Sequence, residues 1–83
     1  MHIEPYKWNA LSRVEQLAIQ WQFDQMGGFQ KTLMHAITQA DDGNLVRLEF
    51  GVPDHVRMYL KFSRENGWWA AVCKKAGIPE VYR

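Results

Sequence analysis

Apolar residues recur along this chain at the three- and four-residue spacings of amphipathic helices, broken by glycines, prolines and short acidic turns. The first clear start signal is Ser12-Arg13-Val14-Glu15. The serine hydroxyl can accept the Glu15 amide hydrogen while the Glu15 carboxylate reaches back to the Ser12 amide. From there Val14, Leu17, Ala18 and Trp21 follow one side, and Ile19, Phe23 and Met26 follow roughly the opposite one. That pattern predicts a central helix covered on both sides. Gly27-Gly28 is expected to end it, because glycine adopts the left-handed conformation of a helix C-terminus without steric cost. Residues 1–10 contain Pro5 and show no clear period, so they read as an extended N-terminal arm anchored by Tyr6 and Trp8.

Phe29, Leu33, Ala36, Ile37 and Ala40 form the cleanest stripe and predict a second helix from about 29 to 40. Asp41-Asp42-Gly43-Asn44 is turn and capping chemistry. Residues 45–50 are ambiguous: Val46, Leu48 and Phe50 alternate as in a strand, while Leu45, Leu48 and Glu49 suit a short helix. The helix is favoured, since a lone strand would lack a partner for its backbone groups unless the N-terminal arm paired with it. Pro53 then opens another helix, whose Val56, Met58, Tyr59, Leu60 and Phe62 make a broad apolar arc. Asn66-Gly67 should close it. Trp68 to Ala76 can form a last helix, ended by Gly77 with Ile78 and Pro79 beyond. The expected fold is mainly α: a compact bundle of four to five short helices with a possible short strand at 45–50. Residues 11–78 make one helical domain, 1–10 the arm and 79–83 a C-terminal tail.

Composition supports a folding chain, since 47% hydrophobic and 13% aromatic residues far exceed what disordered segments carry. Eighty-three residues allow one domain with a limited core. The lone Cys73 excludes an intramolecular disulfide, and neither a secretory signal nor a membrane span is visible, so a cytoplasmic protein is expected. The net charge of +1 conceals an asymmetry. Residues 1–56 set four cations against seven carboxylates, net −3, whereas from 57 onward six cations face only Glu65 and Glu80, net +4. Charge placement of this kind guides association.

The chemistry-bearing residues do not assemble into a motif. His2, His35 and His55 lack the spacing that puts two metal ligands on one helical face, and Cys73 sits among Ala70, Ala71 and Val72 as a small buried hydrophobe would. No phosphate loop follows Gly27-Gly28, and the calcium-loop pattern does not continue past Asn44. No enzyme, metal or cofactor is expected. The positive sign is the row Arg57, Lys61, Arg64 at i, i+4 and i+7, with Trp68, Trp69, Lys74 and Lys75 further along. Tryptophan beside cations suits a protein-binding hot spot and equally the stacking of an unpaired base. One of the two tryptophans is expected in the core. A nucleic-acid-binding module therefore stays open beside protein binding. So does a homodimer, prompted by the two-sided first helix.

The stretch Ala36 to Tyr59 resembles a pattern in short helical accessory proteins of phages and integrated mobile elements, A-D-x-x-N-L-x-x-L-x-x-G-F-P-E-x-V-x-x-Y. Ala40, Asp41, Asn44, Leu45, Leu48, Gly51, Pro53, Val56 and Tyr59 match it, while Val52 replaces the phenylalanine and Asp54 the glutamate. The likeness covers under a third of the chain and carries no catalytic residue. It implies a context: an inhibitor or adaptor that binds a host protein or ribonucleoprotein complex directly, with anti-CRISPR-like counter-defence as the specific form.

Overall fold

The capping box at Ser12 forms as its residue types dictate. The Glu15 amide donates to Ser12 Oγ at 3.2 Å and the Ser12 amide to Glu15 Oε1 at 2.8 Å, starting a helix over Arg13–Gln22. The computed structural model describes residues 2–82. Among these residues six helices follow one another: α1 (Pro5–Ala10), α2 (Arg13–Gln22), α3 (Gly28–Gln39), α4 (Asp42–Gly51), α5 (Pro53–Arg64) and α6 (Trp68–Ala76). No strand occurs among the described residues, and the principal extents are 37 × 28 × 21 Å.

Several expectations need correction. The arm is helical, because Pro5 stands at the first helical position, where its missing amide hydrogen costs nothing and its fixed φ suits the turn. Gln16 Nε2 then donates to the Trp8 carbonyl and holds α1 against α2. Second, α2 stops at Gln22, well before Gly27. The left-handed residue that ends it is Asp24, with φ 57°, and aspartate tolerates that region better than most side chains. Gly27 is extended at φ −69° and caps the start of α3 instead. Third, residues 45–50 lie within a full helix, so the strand alternative falls away and six helices replace four to five. Asp41 accepts the Asn44 amide hydrogen at 2.8 Å, which gives that helix its start. Met1 and Arg83, the ends of the expected arm and tail, lie outside the described residues.

Helix α5 is the hub, touching α2, α3, α4 and α6. Leu17, Ala18 and Ile19 of α2 and Met58 of α5 are fully buried between them, joined by Met34, Ile37, Val56, Trp69 and Val72. The two-sided character of α2 is thus met inside one chain. Around Phe62 the aromatic rings meet at steep angles: Trp21 at 5.2 Å and 67°, Trp69 at 5.6 Å and 57°, Tyr82 at 5.8 Å and 55°. Such tilted contacts each add about 0.5–1.5 kcal/mol beyond area burial. The tail is anchored as well, because Trp69 Nε1 donates to the Val81 carbonyl at 2.6 Å. Gly77, left-handed at φ 73°, ends α6 as its residue type predicts, whereas α5, expected to close at Asn66-Gly67, ends at an extended Glu65, and Gly67, left-handed at φ 81°, caps the start of α6 instead.

Candidate partner-binding face

Helices α4 and α5 meet at a one-residue elbow, since Val52 ends the first and caps the second. The pair folds back on itself, and α4 starts beside the end of α5: Arg64 Nη2 lies 3.4 Å from Asp42 Oδ1. Between them runs a groove of about 230 Å³ lined by Asp42, Leu45, Val46, Glu49, Val56, Leu60 and Arg64. A second hollow of about 240 Å³ continues it toward the elbow, lined by Val46, Glu49, Phe50 and Arg57. The groove is therefore laddered. Asp42 faces Arg64 at one end, Val46 and Leu60 share the middle, and Glu49 and Arg57 line the elbow end.

This face carries two neighbouring exposed apolar side chains. Phe50 is 88% exposed and Val46 58%, one helical turn apart on α4. Phe50 stands almost clear of the surface, and Val46 is partly covered where it lines the groove. Burying either side chain against a partner would contribute about 1.5–3 kcal/mol.

The residues singled out from sequence fall into three places. Arg57 and Arg64 border the groove, with Lys61 half-buried on the flank, where its Nζ donates to Glu65 Oε2 at 3.2 Å. Trp69 is buried and Trp68 half-buried against the same core, so Trp69 offers no surface for stacking. Lys74 is exposed on α6, and Lys75 Nζ lies 3.0 Å from Glu15 Oε1, pinning α6 to the start of α2. Of the basic row, Arg57 and Arg64 come to the groove, while Lys61, the tryptophans and the lysine pair lie elsewhere. Val46, Phe50, Asp42, Glu49 and Leu60 were missed. Their signal was present in the sequence as Val46 and Phe50 at i, i+4 on a helical reading of the ambiguous segment.

The titratable groups show ordinary structural roles. Burial pushes the Glu15 carboxyl up, but hydrogen bonds from Ser12 and Lys75 and the Lys75 charge outweigh it and hold it below 4.5. Burial, assisted by the Glu80 charge, pushes the Cys73 thiol up to about 11, leaving it protonated and poorly nucleophilic near neutrality. His55, on the first turn of α5, is lowered by burial and by the Arg13 charge, partly offset by Asp54. His2, His35 and His55 lie before α1, on α3 and on α5. Among the described residues no group of three or more His, Cys, Asp or Glu could hold a metal ion. Nor is any helix among them long and apolar enough to cross a membrane.

No family model, curated protein or solved structure matches the chain.

Proposed function

We propose that this chain is a non-catalytic macromolecule-binding protein whose contact surface is the α4–α5 face, and that its partner is a host protein or ribonucleoprotein complex in the cytoplasm. The observation that supports the reading is the exposed pair Val46 and Phe50 set beside Arg57, Leu60 and Arg64. An apolar centre rimmed by charges is the usual anatomy of a protein-binding hot spot. The resemblance of residues 36–59 to accessory proteins of phages and mobile elements supplies the setting. Those residues include all of α4 and the start of α5. Inhibition or redirection of a host complex, of the anti-CRISPR kind, is the specific role proposed.

Protein fits this face better than nucleic acid does. A phosphate backbone calls for cations free of carboxylates, whereas Arg64 faces Asp42, Lys61 faces Glu65, and Glu49 sits on the opposite wall from Arg57. Affinity capture from the native host, with wild-type protein beside Phe50→Glu and the triple reversal of Arg57, Lys61 and Arg64 to glutamate, tests the proposal. Loss of the same captured complex in both variants is the expected result. Capture unchanged by both would overturn it, and gel shifts at low salt that retard DNA or RNA would return the nucleic-acid reading.

A further inference from the structure

We propose that the α4–α5 face pairs with the same face of a second copy of this chain, about a two-fold axis running along the groove. The inference rests on reading that face as a contact surface and names an occupant for it. Its basis is the ladder. Each level sets unlike charges or two apolar side chains on the two walls: Arg64 is ion-paired with Asp42, Val46 and Leu60 line the same groove, and Glu49 and Arg57 line the same hollow.

A two-fold axis parallel to the groove carries α4 of one copy over α5 of the other at the same level. Every rung then meets its own complement: Asp42 lies over Arg64, Val46 over Leu60 and Glu49 over Arg57, each twice by symmetry. An axis across the groove would instead lay the acidic α4 wall over its own copy and the basic α5 wall over its own. Like charges facing each other across an interface oppose association. The charge pattern therefore selects the lengthwise axis and predicts an arrangement of four helices in which α4 packs on α5 of the second copy. Phe50 and Val46, exposed in the single chain, are covered by that arrangement. A host partner using this face competes with the second copy, so self-pairing and capture exclude each other.

Sedimentation velocity of the full chain from micromolar to millimolar concentration tests the pairing. Wild type is expected to show a concentration-dependent dimer. Glu49→Arg and Arg57→Glu each put like charges on two rungs and should weaken self-association about tenfold or more. An equimolar mixture of the two variants should regain the dimer, because every mixed rung again holds one cation and one carboxylate. Circular dichroism checks that each variant keeps its helices. If either unfolds, Phe50→Glu, at an exposed position, is the substitute and is expected to be monomeric. A wild type monomeric throughout, variants that still dimerise, or a mixture that stays monomeric would each overturn the inference. A monomeric wild type that still loses host capture on Phe50→Glu removes self-pairing and keeps the proposed function. A dimer of wild type whose charge and Phe50 variants change neither mass nor capture removes both.

Discussion

On its α2 and α6 side, α5 sets Tyr59 and Phe62 edge-on to Trp21 and packs Phe62 on Trp69, whereas toward α4 it presents Arg57, Leu60 and Arg64 to an open groove. The first side is an aromatic seal whose rings lock one another at steep angles. The second keeps apolar surface exposed on α4 and lines it with paired charges. One helix thus divides the work: the sealed side fixes the fold, and the open side remains available for contact. Stability and recognition should respond to different substitutions.

The sharpest way to break the sealed side is Leu17→Ala. Leu17 is fully buried on α2, and its truncation should cost about 2–5 kcal/mol by urea denaturation. A loss under about 1 kcal/mol would mean that the core collapses around the missing atoms far more easily than its packing implies. Trp69→Phe should cost less, about 1–3 kcal/mol, since it removes the donor to the Val81 carbonyl and leaves that acceptor unpaired. The tail should then become more accessible to proteolysis.

A gentler probe is pH. Because the folded-state His55 lies below its ordinary value of 6.5, the folded chain binds fewer protons than the unfolded one near that pH. The stability linked to this group is fully present above pH 6.5 and falls as pH drops through 6.5 toward the folded value. His55→Gln should flatten that part of the melting-temperature profile, and an unchanged profile would assign the decline to other groups. The smallest stability effect belongs to the open side. Phe50→Ala should shift the unfolding free energy by no more than about 0.5 kcal/mol, as expected for an exposed residue, while host capture and self-association fall. If Phe50→Ala destabilises the monomer as Leu17→Ala does, the division between the two sides fails.

Much of the fold was legible where local chemistry decides the outcome. Ser12 with Glu15, Asp41 before α4, Pro53 opening α5, and Gly77 closing α6 all act within a few residues of themselves. The end of α2 was not legible, because the chain reverses at Asp24, a non-glycine residue, with Phe23 and Met26 packed against the core on either side of it. Helix α1 was missed because six residues carry too little period to see, and its packing on α6 depends on residues some sixty positions away. The candidate face was half legible. The cations of α5 show their spacing directly, but Val46 and Phe50 looked like a strand face until the helix turned them outward. A segment whose apolar residues fit no buried face is where local pattern and global fold disagree, and contact surfaces are a common reason for it.

The single-residue elbow at Val52 has a bearing on inheritance. Among the described residues, both walls of the groove are encoded in the continuous stretch 42–64. A recombination event that exchanged that stretch would move the acidic and basic walls together, with their pairing intact. The contact surface proposed above would therefore be exchanged as one cassette, provided the incoming α5 kept the buried Val56 and Met58 and the rings of Tyr59 and Phe62 that the rest of the molecule requires.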